Sequence, residues 1–432
     1  MNTKSLFALF ASIAAASCGQ ADTHEPPAPS PSTVAQTSPP PASPSHPATP
    51  APASLDADDD VVSTAKFGEG AKSFATVKQA LLEGYYADGL TEDDLYRAAT
   101  AGMLEKLEPK MKKWNKLITP SEMNEMKNDL KGEVVGIGVH ISFDDASGYA
   151  DVLAALPGSP SEKAGLLAGD KIVTVNGKLY KGQRMKDVVA DIRGKAGEPV
   201  TLSVLRADKL LSVTVTRERV VYDQPAHAVF ADGLGYVRVP SFNEKTPGQV
   251  KEALDELSKK NVRALVVDMR NNPGGSFDRA LDTADLFLPA GAGIVTTKKR
   301  NKPEEKHVAK GKGMLLDLPI AVLVSEGTSS GAEFVSAALQ EGRKARVIGE
   351  HTMGKWSVQS LDDLPNGYAY KYTISLFKTP SGRSFEGKGL SPDVEVAMSE
   401  KDLAKAFTTL KPEERLAVDM QLRTAKELLV RK

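Results

Sequence analysis

Residues 264–275, ALVVDMRNNPGG, have the pattern of a buried strand that ends in a glycine-rich turn. On both sides of this segment, between residues 220 and 350, apolar strand-like runs alternate with amphipathic helical runs. Such alternation predicts a layered α/β domain with parallel strands. Ligands of sheets of this kind bind beyond the carboxyl ends of the strands. We therefore expect the functional residues in the loops that follow the strands.

Two of these loops carry a glycine turn and a pair of serines. After ALVVDMR, Pro273, Gly274 and Gly275 permit a close backbone approach, and exposed N–H groups there suit an anion. After PIAVLVS, Ser329 and Ser330 stand at the start of a predicted helix. A serine at this place is commonly only an N-cap. The alternative is a nucleophile beside the positive end of the helix dipole, which stabilises a developing oxyanion.

A third loop, after RVIGE, offers two candidate bases for such a serine. His351 is the one histidine that falls in a strand-end loop, and Lys355 follows it in the apolar context Met353-Gly354-Lys355-Trp356. Apolar surroundings lower the pKa of a lysine, and a neutral lysine is a competent general base. A lysine in a loop is otherwise solvated surface, since burial of its charge is costly. The residues alone leave both alternatives open.

Composition excludes several classes of protein. The chain has 432 residues, 55 Lys+Arg against 56 Asp+Glu and a net charge of −1, so we expect no nucleic-acid binding. Its mean hydropathy of −0.27 and the lack of an apolar run of about 20 residues argue against a polytopic membrane protein. A single cysteine excludes intrachain disulfides and cysteine-rich zinc sites. The length predicts several domains.

The N-terminus predicts export. Residues 1–18 combine a lysine, an apolar stretch and small residues before the one cysteine, Cys18, which is the pattern of a signal peptide that ends in a lipobox. Cleavage without lipidation of Cys18 is the alternative. Residues 19–60 contain eleven prolines among Ala, Ser and Thr, which predicts an extended disordered tether. We therefore expect a periplasmic or cell-surface protein that meets a bacterial membrane only through its lipid anchor.

Periodicity divides the remaining chain into four regions. Residues 61–132 have helical spacing, with a helix start at Thr91, and predict an N-terminal helical module. Residues 133–219 alternate as strands around one helix and predict a compact mixed α/β unit. Residues 220–399 form the layered α/β domain, and residues 400–432 are a polar C-terminal helical segment.

Five motifs together resemble the C-terminal processing peptidases, also called tail-specific proteases, which are serine peptidases with a PDZ domain. They are GIGV at 136–139, AGLLAGDKIVTVNG at 164–177, DMRNNPGG at 268–275, GTSSGAE at 327–333 and GKWSVQ at 354–359. Their order recurs over more than 250 residues. The resemblance implies a multidomain α/β protein in which residues 133–219 are the PDZ domain and residues 220–399 are the peptidase core.

The resemblance also implies a mechanism without a metal or cofactor. Ser330 matches the family's nucleophile, Lys355 its general base and Gln359 the residue that orients the lysine. The acyl-enzyme would form on Ser330 and be hydrolysed by water. Trp356 stands where the family has a glycine, and its indole is expected either to exclude water from the base or to narrow the cleft.

Further positions carry over as binding residues. The resemblance assigns the oxyanion hole to the backbone N–H groups of Gly274, Gly275 and Gly331. It assigns the carboxylate of a bound peptide tail to the PDZ loop residues Gly136, Ile137, Gly138 and Val139. Arg206 resembles an arginine that couples the PDZ domain to the peptidase in gated relatives, although solvent exposure is its ordinary role.

These inferences predict an exported serine endopeptidase that recognises accessible C-terminal tails through its PDZ domain and cleaves protein or peptide substrates with a Ser-Lys dyad. The resemblance admits an adaptor that delivers substrates and a homodimer or higher homo-oligomer formed through residues 61–132 and 400–432. Two other functions remain open. One is a catalytically inactive peptide-binding lipoprotein on the same scaffold, and the other is a Ser-His hydrolase that uses His351.

Overall fold

The computed structural model describes residues 69–107, 114–132, 134–144, 148–156, 158–182, 185–220, 224–408 and 411–430. The predicted signal peptide, Cys18 and the proline-rich tether lie outside the described residues. Contacts between Cα atoms divide the chain into two compact units, residues 15–99 and the rest of the chain. Within the described ranges, none of the helices combines the length and hydropathy that a transmembrane span requires.

The N-terminal region is helical, as predicted, with one exception. Its elements are α1 (Gly70–Gly84), α2 (Glu92–Glu105), β1 (Lys116–Ile118) and α3 (Pro120–Lys131). The predicted start at Thr91 is confirmed, since Thr91 Oγ1 accepts the Asp94 N–H at 3.1 Å and the Asp94 carboxylate accepts the Thr91 N–H. The strand β1 contradicts the prediction of a purely helical module. Three residues are too few to show a period, and β1 forms by pairing with a strand about 250 residues further along the chain.

The region predicted as a PDZ domain is an antiparallel sheet with two short helices. Its elements are β2 (Val134–Gly136), β3 (Val139–Asp144), β4 (Tyr149–Ala155), α4 (Pro160–Lys163), β5 (Lys171–Val175), β6 (Lys178–Leu179), α5 (Met185–Ile192), β7 (Pro199–Arg206), β8 (Lys209–Thr216) and β9 (Glu218–Val220). The strand order β3-β4-β5-β7-β8 leaves β3 at the sheet edge. A separate core that includes Ile137, Ile172 and Leu202 fills this region.

The third region contains the predicted layered α/β domain. Its elements are β10 (Ala226–Val229), β11 (Leu234–Arg238), α6 (Thr246–Ser258), β12 (Ala264–Asp268), α7 (Phe277–Asp285), β13 (Gly293–Lys299), β14 (Glu304–Val308), β15 (Ile320–Val324), α8 (Gly331–Arg343), β16 (Arg346–Gly349), β17 (Ser357–Asp363), β18 (Ala369–Lys378) and β19 (Val394–Glu395). The helices α9 (Glu400–Thr408), α10 (Pro412–Val418) and α11 (Met420–Leu429) follow.

The central sheet has the order β10-β11-β12-β15-β16-β19, and all its neighbours are parallel except the β10–β11 pair. Strand β12 is buried on both faces. Leu265 and Val267 pack toward α6 and α8, whereas Ala264 and Val266 pack toward α10 and α11. The C-terminal helices therefore cover the second face of the sheet.

A second, antiparallel sheet of five strands lies beside the central sheet, and the sequence did not predict it. Its order is β1-β18-β13-β14, with β17 also paired to β18. Gln359 therefore lies on strand β17, whereas the sequence placed it in a loop. Strand β17, SVQSLDD, is largely polar and forms through non-local pairing, so its local pattern carried little signal.

Candidate active site

Ser330 occupies the turn between β15 and α8 in a strained conformation. Its φ of 56° is in the left-handed region, which is uncommon for a residue other than glycine and marks functional turns. The side chain is fully buried, and its Oγ has no hydrogen-bond partner among the described residues. The hydroxyl therefore does not act as the ordinary N-cap. The neighbouring Ser329 differs, because its Oγ donates to the Pro273 carbonyl at 2.8 Å.

The glycine turn after β12 packs directly on this serine. A Cβ added to Gly274, whose φ is 98°, would lie 3.0 Å from the Ser330 Cβ, so the approach requires glycine. The Gly274 N–H donates to Asn272 Oδ1 at 2.8 Å and is thus occupied. No acceptor among the described residues takes the Gly275 N–H, and Gly331 begins α8, where an N–H has no intrahelical partner. Of the three predicted oxyanion donors, Gly275 and Gly331 have available N–H groups.

The loop between β16 and β17 carries Lys355 into the same region. Lys355 is only 3% exposed, so the alternative of a solvated surface lysine is wrong. Its Nζ lies 4.4 Å from the ring centroid of Trp114, a residue just before β1. His351, in the same loop, is exposed. Since Ser330 Oγ has no partner among the described residues, neither side chain shares a hydrogen bond with the serine in this structure.

The carboxylate of Glu333, in the first turn of α8, joins the serine turn to the lysine loop. Its Oε2 accepts the N–H groups of Ser330 and Lys355, each at 2.8 Å. The two backbone nitrogens are therefore at most 5.6 Å apart. Its Oε1 accepts from Thr352 Oγ1 at 2.5 Å, the Gly354 N–H at 2.8 Å and Trp356 Nε1 at 3.2 Å. We call Glu333 and these five donors the Glu333 cluster.

Burial raises the pKa of Glu333, and the hydrogen bonds from Thr352 and the backbone N–H groups oppose that rise. All five partners are donors, which is the arrangement that an ionised carboxylate requires. Trp356 is fully buried within this cluster, and its ring packs on Phe385 with centroids 4.9 Å apart. A fully buried ring cannot narrow the cleft. Its observed role is to donate to Glu333.

Gln359 lies on β17, next to this loop, and is fully buried. Its Nε2 donates to Ser357 Oγ at 3.0 Å and lies 3.4 Å from Thr373 Oγ1. Its Oε1 has no hydrogen-bond partner among the described residues. The predicted role of Gln359 in orienting Lys355 stays a prediction.

The predicted carboxylate-binding loop connects β2 to the edge strand β3. Gly138 has a φ of 73°, and an added Cβ would lie 2.4 Å from the Ser159 Cβ, so glycine is required there. The buried Ile137 is held through its carbonyl, which accepts the Ser161 N–H at 2.8 Å. A peptide added beside Val139 would extend the sheet, because β3 has a free edge in the described part of the chain.

Arg206 binds within its own region. Its Nε and Nη2 donate to the two carboxylate oxygens of Asp170 at 2.6 and 2.7 Å, and Nη2 also donates to the Gly165 carbonyl. A coupling role for Arg206 stays a prediction.

The sequence did not single out Glu333 or Trp114. Glu333 had a local signal, since Ser330-Gly331-Ala332-Glu333 has the spacing of a capping box. The structure keeps only the half in which Glu333 accepts the Ser330 N–H. Trp114 had none, because its contact with Lys355 depends on the pairing of β1 with β18.

Comparisons with known proteins agree with this architecture. The family model Peptidase family S41 matches residues 233–396, and a PDZ domain model matches residues 152–206. A carboxy-terminal-processing protease of Bartonella bacilliformis is 34% identical over 312 residues, which are 71% of this chain and 70% of that protein. A probable CtpA-like serine protease of Staphylococcus saprophyticus is 30% identical over 75% of this chain and 65% of that protein.

Among solved structures, the photosystem II D1 C-terminal processing protease is similar with a TM-score of 0.50 and 30% identity. The match covers 76% of this chain and 88% of that protein. These matches confirm the predicted PDZ domain and the α/β peptidase core. The chain spans about two thirds of the length of the two curated relatives. It belongs to peptidase family S41, the carboxy-terminal-processing serine peptidases.

Proposed function

We propose that this peptidase cleaves proteins with accessible C-terminal tails by means of a Ser330–Lys355 dyad. One observation carries the proposal: a single carboxylate oxygen of Glu333 accepts the backbone N–H groups of both residues. This bond fixes a strained serine and a buried lysine side by side, 25 residues apart in sequence. The unpaired Ser330 Oγ is the hydroxyl that a base would have to engage.

The chemistry follows from the donors around the serine. The neutral Lys355 amine accepts the Ser330 proton as Oγ forms a bond to the scissile carbonyl carbon. The carbonyl oxygen gains the negative charge, and the N–H groups of Gly275 and Gly331 stabilise it. Collapse breaks the C–N bond, and the Lys355 ammonium protonates the leaving amine. Water then attacks the acyl-enzyme through the same amine and releases the acid and Ser330.

Substrate recognition is assigned to the PDZ domain. A peptide tail would pair with β3, and the loop from Gly136 to Val139 would hold its terminal carboxylate. The rigid conformation of Gly138 supports this role, since the loop has no room for a Cβ. We expect a peptide with a free carboxylate to have a lower KM than the same peptide amidated at its C-terminus. Equal KM values for the two peptides would contradict tail recognition.

Export and lipid attachment at Cys18 complete the proposal. Acyl chains at Cys18 would tether the peptidase to a bacterial membrane. Metabolic labelling with a radioactive fatty acid should mark the wild-type protein and not the Cys18→Ala variant. Equal labelling of both proteins would refute the assignment.

The nucleophile is tested with two adjacent serines. Ser330→Ala should lower kcat about 10⁴- to 10⁶-fold, measured with casein or a tailed peptide, and abolish labelling by a fluorophosphonate probe. Ser329→Ala is the matched control, because it removes only the bond to the Pro273 carbonyl. Loss of one such bond changes activity by about tenfold at most. Activity that survives in Ser330→Ala would exclude this nucleophile.

The base is tested with two buried lysines. Lys355→Met should abolish turnover, whereas Lys371→Met makes the same change at a lysine on β18 that is also 3% exposed and should retain it. Lys355→Arg should be inactive, because a guanidinium stays protonated near neutral pH. The Ser-His alternative gives the opposite pattern, in which His351→Ala is inactive and Lys355→Met is active.

A further inference from the structure

The contact between Trp114 and Lys355 bears directly on the proposed base. The Lys355 Nζ lies 4.4 Å from the Trp114 ring centroid, well within the range of a cation–π interaction. Such a contact stabilises the ammonium form, because the negative face of the ring attracts a cation. A general base has to be neutral, so this contact opposes the proposed function of Lys355.

The position of Trp114 is fixed by the strand that it precedes. Strand β1 pairs with β18 in the register Lys116↔Lys371. Beside this pairing, Asn115 Oδ1 accepts the Thr373 N–H at 2.8 Å. Thr373 Oγ1 in turn lies 3.4 Å from Gln359 Nε2. The backbone that carries Trp114 is therefore tied to the strand that carries Thr373 and contacts Gln359.

Two buried acceptors mark a second position for the amine. Ser330 Oγ and Gln359 Oε1 are both buried, and neither has a hydrogen-bond partner among the described residues. A buried polar atom without a partner is unfavourable. A lysine amine or ammonium can bond both atoms, since it carries several hydrogens. In this structure Nζ instead faces the ring.

We propose that Trp114 holds Lys355 as a protonated, non-basic ammonium, and that Lys355 becomes the base when Nζ leaves the ring for Ser330 Oγ and Gln359 Oε1. Trp114 is thus a positioning residue that sets the pH at which the dyad becomes active. In this step the ammonium releases one proton to water, and the free lone pair faces the Ser330 hydroxyl. The inference rests on the proposed Ser330–Lys355 dyad.

Other charged groups surround the lysine loop and have fixed partners. Glu333 from α8 accepts the Lys355 N–H, and Glu386 from the loop after β18 accepts the Trp356 N–H. Lys371 on β18 and Lys116 on β1 face each other across the register. Burial lowers the pKa of Lys371 to about 8, and no aromatic ring contacts its amine among the described residues. Lys371 therefore shows the effect of burial without a ring.

The first test replaces the indole with an aliphatic side chain. In full-length Trp114→Leu, the acidic midpoint of kcat/KM against pH should fall by about 0.4 to 1.5 pH units. The rate of fluorophosphonate labelling at Ser330 should rise about 2- to 30-fold below that midpoint. An unchanged or higher midpoint in a folded variant would overturn the inference. Thermal unfolding establishes that the variant is folded.

A second test keeps the shape of the residue. Fluorinated tryptophans weaken the negative face of the ring, and the chain contains only two tryptophans, Trp114 and Trp356. Incorporation of mono-, di- and trifluorotryptophan should lower the acidic midpoint stepwise. The same labels in Trp114→Leu remain only at Trp356 and should produce no such series. An equal series in both proteins, or none in either, would overturn the inference.

The outcomes separate this inference from the proposed function. If the probe labels wild type and Ser330→Ala equally, the dyad itself is refuted, and the role of Trp114 is refuted with it. If the probe labels only proteins with Ser330, but the midpoint does not depend on the indole, the dyad stands and the role of Trp114 is refuted.

Discussion

The Glu333 cluster and a second buried carboxylate cluster, at the C-terminal helices, are both closed to solvent but are neutralised by different partners. In the second, which we call the Asp268 cluster, Arg270 donates to Asp268 at 2.6 Å and to Asp419 at 2.7 Å. All three side chains are fully buried. The carboxylate of Glu333 is held instead by four N–H groups and a hydroxyl.

The two kinds of partner have opposite effects on the carboxylates. Burial disfavours ionisation of Asp268, but the charge and hydrogen bonds of Arg270 lower its pKa to about 2. Burial raises the pKa of Glu333, and its hydrogen bonds only oppose that rise. The Asp268 cluster therefore depends on a cation, whereas the Glu333 cluster depends on dipoles.

The difference fits what each cluster connects. Arg270 links the end of β12 to Asp419, the N-cap of α11, so an ion pair joins two distant side chains. Glu333 links the backbones of Ser330, Gly354 and Lys355, so its position is transmitted to the main chain of both catalytic loops. A carboxylate has about four lone-pair sites, and five donors saturate them. Glu333 therefore has no vacant site to capture the Lys355 ammonium.

The largest effect is expected from breaking the ion pair. Asp419→Ala leaves Arg270 with one carboxylate fewer in a buried site, which should lower the free energy of unfolding by about 3–5 kcal/mol. Denaturant unfolding measures this change. Activity per folded molecule should fall less than tenfold, because Asp419 bonds neither catalytic loop. A larger loss of kcat would mean that the cluster also positions the glycine turn.

Glu333→Gln should have the converse effect. The Gln amide group has to face either the two donors at Oε2 or the three at Oε1, and N–H groups facing each other repel. The two loops should separate, and kcat should fall about 10²- to 10³-fold, as for the loss of an oxyanion donor. We expect little change in KM for a tailed peptide, since the PDZ loop is intact. A proportionate loss of folded protein with normal kcat would show that the role is only structural.

The sequence predicted the parts of this site that lie near one another along the chain. The strand before Gly274, the helix after Ser330 and the loop of Lys355 all follow from local periodicity, and the rule for parallel strands brings their ends together. The helix start at Ser330 also predicted a cap, and there the structure differs, because the hydroxyl makes no cap bond.

The remaining parts depend on pairings that no local pattern reveals. Trp114 reaches Lys355 because β1 joins β18, and Gln359 lies on a strand whose polar sequence gave no clear period. Glu333 was visible only as a capping-box residue, whereas its contacts with Thr352, Gly354 and Trp356 come from a loop that follows it by about 20 residues. Non-local contacts of this kind decide which of several polar residues form the site.

Acid should distinguish the two clusters by sign. The pKa of Asp268 falls from an ordinary 3.8 to about 2, so its ionised form stabilises the fold above pH 4 by about 2 kcal/mol, and this contribution is lost as the pH falls from 4 to 2. The pKa of Glu333 is raised, so its contribution is present below its unfolded pKa and is lost as the pH rises.

Denaturant unfolding as a function of pH measures both contributions. The stability difference between wild type and Asp268→Asn should shrink from pH 4 to pH 2, whereas that between wild type and Glu333→Gln should not shrink over this range. Parallel loss in both variants would contradict the opposite electrostatics of the clusters.

The smallest effect is expected at Trp356, which supplies the longest bond of the Glu333 cluster, at 3.2 Å. Trp356→Phe keeps a buried aromatic ring beside Phe385 but removes the indole N–H, which is worth about 0.5–1.5 kcal/mol as a neutral hydrogen bond. Four donors still hold the carboxylate, so kcat should fall only about 2- to 10-fold. Steady-state kinetics beside Glu333→Gln tests this ranking. A loss as large as that of Glu333→Gln would show that the indole, rather than the backbone N–H groups, sets the position of the carboxylate.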